Sequence, residues 1–338
     1  MITISKYHVE IIGTGSHVPA GIVTNADMEK LVDTNDEWIR TRTGIRERRK
    51  LSTDETVSEM ATEAARKALL NAAVRPEEID LIIGATITGD FVFPPMAAMV
   101  QAGIGATNAT AFDTNGVCAG FVYALVQGSQ FLQNGAYRTA LIVAAEGITR
   151  YLDYTDRNSC ILFGDGAGAV VLRATEAAAD EPVRGFVDFD LHTDGKRAAV
   201  AFTPRSGVSE RFIRTFSERE QITPYIWQDG RAMFKAAVNG MSESVNRIIA
   251  RQNLKPEAID LLVPHQANLR IIEAVGERVA IPPERVALCI EEYGNTSAAS
   301  IPLAFDKWNR LGRVRPGDRV MFTAFAGGLT WGSALFQM

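Results

Sequence analysis

The chain has 338 residues, of which 46% are hydrophobic and 22% are charged, and its formal net charge is −5 at pH 7. This is an ordinary globular composition, long enough for two domains, and the net charge gives no reason to expect nucleic acid. Three cysteines without a CxxC spacing and four scattered histidines argue against a disulfide framework and against a metal site. We therefore expect a cytoplasmic protein, and no apolar stretch approaches the ~20 residues that would span a membrane.

Short β-branched runs alternate with longer helical segments along the chain, a pattern that favours an α/β fold. The first run leads into Gly13-Thr14-Gly15, which is similar to the start of a dinucleotide-binding GxGxxG loop. The third glycine of that loop is missing, because Val18 occupies its position. A dinucleotide-dependent oxidoreductase is therefore disfavoured.

One unit of the sequence occurs twice. Residues 56–73 read as an amphipathic helix, and residues 75–83 (RPEEIDLII) turn into a buried strand. The same order returns in residues 233–250 and 255–263 (KPEAIDLLV). The repeat predicts two similar α/β halves packed face to face, with sites at the carboxyl ends of strands from both halves.

Cys118 lies where an apolar run, residues 109–112, leads through a turn into a helix. The first turn of a helix has unpaired N–H groups that stabilise a thiolate, so we expect the pKa of this thiol to lie below its usual value of roughly 8.5. Read alone, such a cysteine is more often a buried structural residue.

Two polar residues follow strands in the second half. His265 comes directly after the apolar run 261–264, and Asn295 follows a glycine and opens a helix rich in small residues. Each has a structural explanation when read alone, His265 as a turn histidine and Asn295 as a helix cap. Together with Cys118 they form a Cys/His/Asn set at strand ends.

Several stretches resemble β-ketoacyl-[acyl-carrier-protein] synthase III of the thiolase-like superfamily, in the right order from about residue 10 to residue 337. They are CAGF at 118–121, PHQAN at 264–268, GNTSAAS at 294–300, and DEWI with TRTGI at 36–39 and 41–45. The resemblance implies a duplicated thiolase-like fold, a five-layered αβαβα sandwich. Residues 1–175 would form the half that carries the cysteine, and residues 176–338 the half that carries the histidine and the asparagine.

The resemblance also implies a homodimeric acyltransferase that condenses an acyl-CoA primer with malonyl-acyl carrier protein and so initiates fatty-acid synthesis without a cofactor. A thiolate suits the chemistry because it can hold an acyl group and release it, which assigns that role to Cys118. Neutral His265 and the Asn295 amide would donate to the oxygen of the decarboxylating thioester. The backbone N–H groups of Cys118 and Gly328 would form the oxyanion hole.

Further residues are assigned by the resemblance. Trp38 and Arg42, four residues apart, can stack on an adenine and pair with phosphates, although such a pair is more often a surface feature. The coenzyme A channel would comprise Trp38, Arg42, Arg157, Gly230, Phe234 and Asn268. The acyl pocket would comprise Ile87, Phe93, Asn158 and Leu162, and carrier-protein docking would use Lys235, Arg270 and Arg278. Phe93 would reach across the dimer, or else be a core aromatic.

The sequence departs from the family pattern at several places. Asn158 stands where glycine is common and Ile87 where threonine is common, so we expect a narrower or reshaped acyl pocket. Residues 200–223 are longer and more basic than usual, and we expect a lid, a carrier-docking surface or a solvated loop there. Its arginines are Arg205, Arg211, Arg214 and Arg219.

Two other classes of function stay open at this point. One is an acyltransferase or specialised condensing enzyme of secondary metabolism on the same scaffold, in which the acyl group passes to a different nucleophile. The other is a non-catalytic carrier-binding module, which would tolerate the loss of Cys118 and which no feature of the sequence favours. No partner of nucleic-acid or membrane type is expected.

Overall fold

The computed structural model describes residues 6–178, 183–217 and 223–338, so that Arg219 lies outside the described residues. The strands are β1 (Tyr7–His17), β2 (Gly21–Thr24), β3 (Glu47–Lys50), β4 (Leu81–Ala85), β5 (Thr110–Thr114), β6 (Thr139–Glu146), β7 (Gly166–Glu176), β8 (Gly185–Thr193), β9 (Ala201–Phe202), β10 (Trp227–Gln228), β11 (Leu261–Pro264), β12 (Arg319–Ala326) and β13 (Thr330–Gln337). The helices are α1 (Asn25–Met28), α2 (Asp36–Thr43), α3 (Val57–Ala72), α4 (Met96–Ile104), α5 (Gly120–Gln133), α6 (Arg157–Cys160), α7 (Glu210–Ser217), α8 (Gly230–Arg251), α9 (Leu269–Arg278), α10 (Ile290–Tyr293) and α11 (Ser300–Arg310).

Nine strands form one mixed sheet in the order β11-β12-β13-β8-β1-β7-β6-β4-β5. Strands β1 and β8 meet in parallel at a single residue pair, Val9 with Gly185. Outward from this seam, β7 is antiparallel to β1 and β6, and β13 is antiparallel to β8 and β12. The next strand on each side, β4 or β11, runs parallel to its neighbour. The sheet therefore contains two copies of one topology.

Side chains on the two faces of each half-sheet belong to different apolar cores. In β6, Leu141 and Val143 pack towards α3 and α4, whereas Ala140 and Ile142 pack towards a central core built around α5 and α11. One face of β12 also packs into this central core, and the other face of β12 packs towards α8 and α9. Three cores between five alternating layers are the predicted αβαβα sandwich.

The duplicated sequence unit folds twice in the same way. The predicted helices correspond to α3 and α8, and each is followed by a short 3-10 turn and a buried strand, β4 or β11. Asp80 and Asp260 occupy equivalent places: each backbone N–H donates to the first carbonyl of a neighbouring strand, and each carboxylate accepts from the N–H of that same residue, Thr139 or Arg319. The repeat is confirmed, while a division at residue 175 stays a prediction, since β7 extends to Glu176.

The two glycines near the N-terminus serve packing. Gly13 and Gly15 lie inside β1, and helix α3 crosses them closely. A Cβ at Gly15 would lie 2.4 Å from the Ala64 carbonyl oxygen and 2.3 Å from the Ala68 nitrogen, a separation that real side chains do not tolerate. These glycines allow a strand and a helix to approach, so the similarity to a dinucleotide-binding loop is incidental.

Both halves present the same strained turn at the centre of the molecule. Val117 precedes α5 with φ of 50°, and Ser297 precedes α11 with φ of 51°, a left-handed conformation that is uncommon for residues with a Cβ. Each begins a 3-10 turn, Val117–Ala119 or Ser297–Ala299, that continues into its helix. An added Cβ at Gly120 would lie 3.6 Å from the Ala298 Cβ, so the starts of the two helices abut.

Candidate active site

A cavity of about 270 Å³ opens beside the two abutting helix starts. It contains all three members of the predicted set, Cys118, His265 and Asn295. The structure thus brings together side chains that are separated by 147 and 177 residues in the sequence. Other lining residues come from α2, α6, α8 and α9 and include many residues assigned above to coenzyme A: Trp38, Arg42, Gly230, Phe234 and Asn268.

Cys118 lies in the 3-10 turn before α5 and is partly accessible from the cavity. Its sulfur lies 3.5 Å from Ser297 Oγ, and burial raises the pKa of the thiol to about 12. The expectation of a lowered pKa was therefore wrong, because loss of solvation outweighs the donors of the helix start. The resting residue is a thiol, and its reaction requires a group that accepts the proton.

His265 follows the end of β11, and its backbone N–H donates to the Thr323 carbonyl oxygen at 2.8 Å. The side chain is buried, and burial lowers the pKa of the imidazole to about 3, so the ring is neutral near pH 7. A neutral imidazole can donate a hydrogen bond from one nitrogen without adding charge to the site.

Ser300 contacts one ring nitrogen of His265. Its Oγ accepts from the Gln266 backbone N–H at 3.2 Å and lies 2.7 Å from His265 Nδ1. When the Ser300 hydroxyl donates to Nδ1, the ring proton resides on Nε2. Within the described residues Nε2 makes no hydrogen bond to protein, so this tautomer offers a donor to a ligand.

Asn295 is held by its backbone and by one side-chain oxygen. Its N–H donates to the Leu162 carbonyl, its carbonyl accepts from the Gly164 N–H, and its Oδ1 accepts from the Ser297 N–H at 2.9 Å. The Nδ2 group has no hydrogen-bond partner among the residues described here, and the side chain lines the cavity. Asn295 therefore presents an oriented amide donor beside His265.

Glu146 and Ser297 belong to the site but escaped the sequence analysis. Glu146 ends β6 and is fully buried, and its Oε1 accepts from Ser297 Oγ at 3.1 Å, the same hydroxyl that contacts Cys118. One signal was available: Glu146 is the only charged residue in the otherwise apolar strand TALIVAAE. A lone carboxylate at the end of a buried strand is costly to fold and is often functional.

Three side chains stack at one end of the cavity. The Arg42 and Arg157 guanidinium carbons lie 5.4 Å and 5.0 Å from the centre of the Trp38 ring. Arg157 lines a neighbouring surface depression with Asp33 and Asn158, and it donates to the Asp33 carbonyl at 2.8 Å. A planar, phosphate-bearing ligand fits this combination of an aromatic face and two cations.

Helices α8 and α9 bring their N-terminal ends to the cavity. Asn268 caps α9 and also donates from Nδ2 to the Arg42 carbonyl, so this side chain already ties α9 to α2. Lys235, Arg270 and Arg278 are exposed on these two helices, and none forms an ion pair within the part of the chain that the structure describes. Of this basic patch, Arg270 lines the cavity, Lys235 follows the lining residue Phe234, and Arg278 lies in the last turn of α9.

The residues assigned to the acyl pocket separate in the structure. Leu162 and Asn158 line the cavity, and Asn158 is exposed, so it lies at the opening. Ile87 does not line the cavity; it packs near Phe163 and donates its N–H to Glu146. Phe93 is 83% exposed, which makes the alternative of a core aromatic wrong.

Two remaining assignments lie at the edge of the site. Gly328 has φ of 121° in the turn between β12 and β13, a conformation reserved for glycine, but it is not among the cavity-lining residues. In the basic segment, β9 pairs with β10, and Phe202 packs against Phe216 of α7. Gln228 of β10 lines the cavity and pairs with Ala201 of β9, so the start of the basic segment lies next to a cavity-lining residue.

No helix within the described ranges is long and apolar enough to cross a membrane.

The fold and the site define a thiolase-like enzyme with a cysteine at the centre of two related halves. Sequence profiles described as 3-oxoacyl-[acyl-carrier-protein (ACP)] synthase III match residues 112–195, and those of its C-terminal part match residues 249–338. A β-ketoacyl-[acyl-carrier-protein] synthase III of Alkalilimnicola ehrlichii is 46% identical over 334 residues, covering 98% of this chain and 99% of the relative. The chain belongs to the β-ketoacyl-[acyl-carrier-protein] synthase III family, as its resemblance had indicated.

Solved structures agree with this assignment. The 3-oxoacyl-[acyl-carrier-protein] synthase III of Aquifex aeolicus VF5 is 42% identical with a TM-score of 0.88, covering 98% of this chain and 100% of the other. The priming β-ketosynthase of the R1128 polyketide biosynthetic pathway is 33% identical with a TM-score of 0.89, covering 100% and 98%. The predicted fold and acyltransferase class are confirmed.

Proposed function

We propose that this protein condenses an acyl-CoA primer with malonyl-acyl carrier protein, releasing carbon dioxide and forming β-ketoacyl-acyl carrier protein as the first step of fatty-acid synthesis. The observation that carries the proposal is the single cavity that holds Cys118, His265 and Asn295 and extends to the Trp38 stack. The reaction draws on these side chains and on the two thioesters, and it calls for no cofactor.

In the first half-reaction the Cys118 sulfur attacks the thioester carbon of the primer. The new bond joins sulfur to the acyl carbon, the bond to the coenzyme A sulfur breaks, and coenzyme A leaves as a thiol. Backbone N–H groups of Cys118 and Gly328 are proposed to stabilise the oxyanion, and one such donor typically contributes about 3 kcal/mol. The ring of Trp38 would stack on the adenine, and Arg42 and Arg157 would pair with the phosphates. Because the Arg157 guanidinium stacks on the Trp38 ring in this structure, it must move away before the adenine can bind there.

In the second half-reaction the malonyl group loses carbon dioxide, and the electron pair left behind attacks the acyl carbon on Cys118. Negative charge gathers on the malonyl thioester oxygen before the new carbon–carbon bond forms. Neutral His265 and Asn295 supply two donors for that oxygen without a proton transfer. Cys118 then leaves as a thiolate and recovers a proton.

The basic patch of Lys235, Arg270 and Arg278 is proposed to dock the acidic carrier protein, chiefly by accelerating association. Changing Lys235 to Glu should raise the KM for malonyl-acyl carrier protein and leave acylation by acyl-CoA unaltered. Lys255 is an exposed control beyond the far end of α8, whose span from Lys235 to Arg251 is about 24 Å at 1.5 Å per residue. An equal effect of Lys255→Glu would refute this docking surface.

We also propose a homodimer. Phe91, Val92 and Phe93 are 59%, 78% and 83% exposed, a run of apolar residues that a partner subunit would cover. Sedimentation of the wild-type protein should show a dimer, and Phe93→Ser should weaken it. A monomeric wild-type protein at micromolar concentration would contradict the proposal.

A second candidate is a priming ketosynthase of secondary metabolism, favoured by the 33% identity to the R1128 enzyme. Both candidates use Cys118, and they differ in the primer and in the acceptor of the acyl group. The decisive experiment incubates the protein with acyl-CoAs of increasing length and measures the intact mass, and malonyl-acyl carrier protein is then added.

An acyl adduct should form on Cys118, persist in the Cys289→Ala control and disappear in Cys118→Ala. Addition of malonyl-acyl carrier protein should then release carbon dioxide. A protein without an adduct from any primer would refute both candidates. An adduct that does not condense would favour transfer to a different nucleophile.

A further inference from the structure

Glu146 is a buried carboxylate that the proposed mechanism leaves without a role. Its Oε2 accepts from Thr88 Oγ1 at 2.5 Å, from the Ile87 N–H at 3.2 Å and from Thr86 Oγ1 at 3.3 Å. Its Oε1 accepts from Ser297 Oγ, and no basic side chain of the described residues forms an ion pair with it. Burial raises the pKa of this carboxyl to about 7, so it can gain or lose a proton near neutral pH.

Ser297 bridges this carboxylate and the reactive sulfur. Its Oγ lies 3.1 Å from Glu146 Oε1 and 3.5 Å from Cys118 Sγ, and the residue is fully buried. The strained turn and the bond from its N–H to Asn295 Oδ1 hold the hydroxyl in place. One hydroxyl between an acceptor and a thiol can donate its own proton to the acceptor and accept the proton of the thiol.

His265 is poorly suited to accept the Cys118 proton. It makes no hydrogen bond to Cys118 within the described residues, and its Nδ1 is engaged by Ser300. Burial keeps its pKa near 3, which makes it a weak base. Among described residues, the side-chain hydrogen-bond partner of the Cys118 sulfur is Ser297.

We propose that Ser297 and Glu146 form a proton relay that deprotonates Cys118 when it attacks the acyl donor. The Cys118 S–H proton moves to Ser297 Oγ as the Ser297 O–H proton moves to Glu146 Oε1, so a thiol and a carboxylate become a thiolate and a carboxylic acid. The departing coenzyme A thiolate takes a proton from solvent. After condensation the Cys118 thiolate recovers its proton from Glu146 through Ser297, and the cycle balances.

This inference rests on the proposed function, and the charges explain the benefit. A second buried negative charge beside an ionised Glu146 would be strongly unfavourable, whereas the relay keeps the number of charges constant. While the acyl group occupies Cys118, Glu146 is neutral. The negatively charged malonyl group and its enolate then enter a site without a competing carboxylate.

The test uses single-turnover acylation by acyl-CoA, quenched and followed by mass. Ser297→Ala removes the bridge. Glu146→Gln removes the base and preserves the local contacts: the amide oxygen can accept from Thr88 and Ile87, and the amide nitrogen can donate to Ser297. The matched control is Asp165→Asn, since Asp165 is a fully buried carboxylate that accepts from Leu51 and Thr149 and has no link to Cys118.

Both relay variants should acylate about 100-fold more slowly near neutral pH. This is the low end of the rate enhancement that a general base typically contributes. The variant that combines Ser297→Ala with Glu146→Gln should be no slower than Ser297→Ala alone. Ser297→Ala already interrupts the relay, so removing the base as well has no further effect. The wild-type rate should rise with pH to about 7 and then level. The Glu146→Gln rate should lack this inflection and continue to rise.

The sign of the Glu146→Gln effect separates the relay from simple electrostatics. Burial is the main cause of the raised pKa of Cys118, and the charge of Glu146 raises it further, so removing that charge without a relay would accelerate acylation. Unaltered or faster acylation in Glu146→Gln, or an equal loss in Asp165→Asn, would overturn the relay.

A wild-type protein that forms no acyl adduct would refute the proposed function instead. Alkylation of Cys118 by iodoacetamide across the same pH range then tests the relay without a substrate. An inflection near pH 7 that Glu146→Gln abolishes supports it, and identical profiles refute it.

Discussion

Replacing Ser300 with Ala should impair condensation more than acylation. Ser300 is a positioning residue, because it acts on the substrate only through the His265 tautomer. The substitution removes the contact to His265 Nδ1 at 2.7 Å and leaves the Gln266 N–H without its acceptor at 3.2 Å. Both groups are buried.

The magnitude follows from these two contacts. A buried group without its partner costs about 1 to 3 kcal/mol, so the two groups together should cost about 2 to 6 kcal/mol of stability. Without the Ser300 hydroxyl, His265 loses its preference for the tautomer with the proton on Nε2. That preference equals the net free energy of one hydrogen bond, about 1.4 kcal/mol, which changes the ratio of the two tautomers about tenfold. Condensation should therefore slow by up to about tenfold, whereas attack by Cys118 should proceed normally.

The assay separates the two half-reactions. Acyl-enzyme is prepared with excess acyl-CoA, purified and mixed with malonyl-acyl carrier protein, and released carbon dioxide is followed in a single turnover. The matched control is Ser129→Ala, which removes a buried hydroxyl of α5 that has no hydrogen-bond partner among the described residues. Equal losses in acylation and condensation, or unchanged condensation in Ser300→Ala, would show that Ser300 does not set the tautomer.

Three further changes test other parts of the structure. Asn295→Ala should spare acylation and slow condensation by about 100-fold or more, and equal loss of both steps would show a general structural defect. Gly15→Ala should destabilise the protein by about 1 to 3 kcal/mol in denaturant titrations because its Cβ would overlap α3. Gly195→Ala should not, because its added Cβ would meet no atom of the described residues within 4 Å apart from its chain neighbours. Glu146 with a raised pKa stabilises the folded state as pH falls, and His265 with a lowered pKa does the reverse. The stability advantage of wild type over Glu146→Gln should thus grow by about 2 kcal/mol between about pH 7 and about pH 5, and a constant difference would contradict the raised pKa.

The sequence was informative where local patterns repeat. The two copies of the helix-turn-strand unit predicted the duplicated sheet, and the polar residue after β11 predicted that His265 would meet Cys118. Asn295 was also expected to follow a strand, but helix α10 precedes it, although its side chain still lines the same cavity. Both inferences rest on the rule that parallel strands end at one edge of the sheet. They needed no knowledge of side-chain contacts.

Properties that depend on burial could not be predicted in this way. The pKa of Cys118 is raised, because desolvation of the sulfur depends on every layer around it and not on the helix that follows it. The role of Ile87 in the acyl pocket stays a prediction, and the bond from its backbone N–H to Glu146 has no signal in the sequence. The Ser297 contact to Glu146 joins residues that are 151 positions apart, and only the packing of β6 against the second half creates it.

The duplication also explains why the reactive sulfur meets a serine. Val117 and Ser297 are equivalent residues of the two strained turns, and Cys118 is thus equivalent to Ala298. The two turns abut so that Ser297, at the strained position of the second turn, lies beside Cys118, which follows the strained residue Val117 of the first. The Ser297 Oγ therefore contacts the Cys118 sulfur. A duplicated fold therefore supplies two copies of one rigid turn, and sequence divergence places Cys118 in one turn and, in the other, the serine that we propose passes its proton to Glu146.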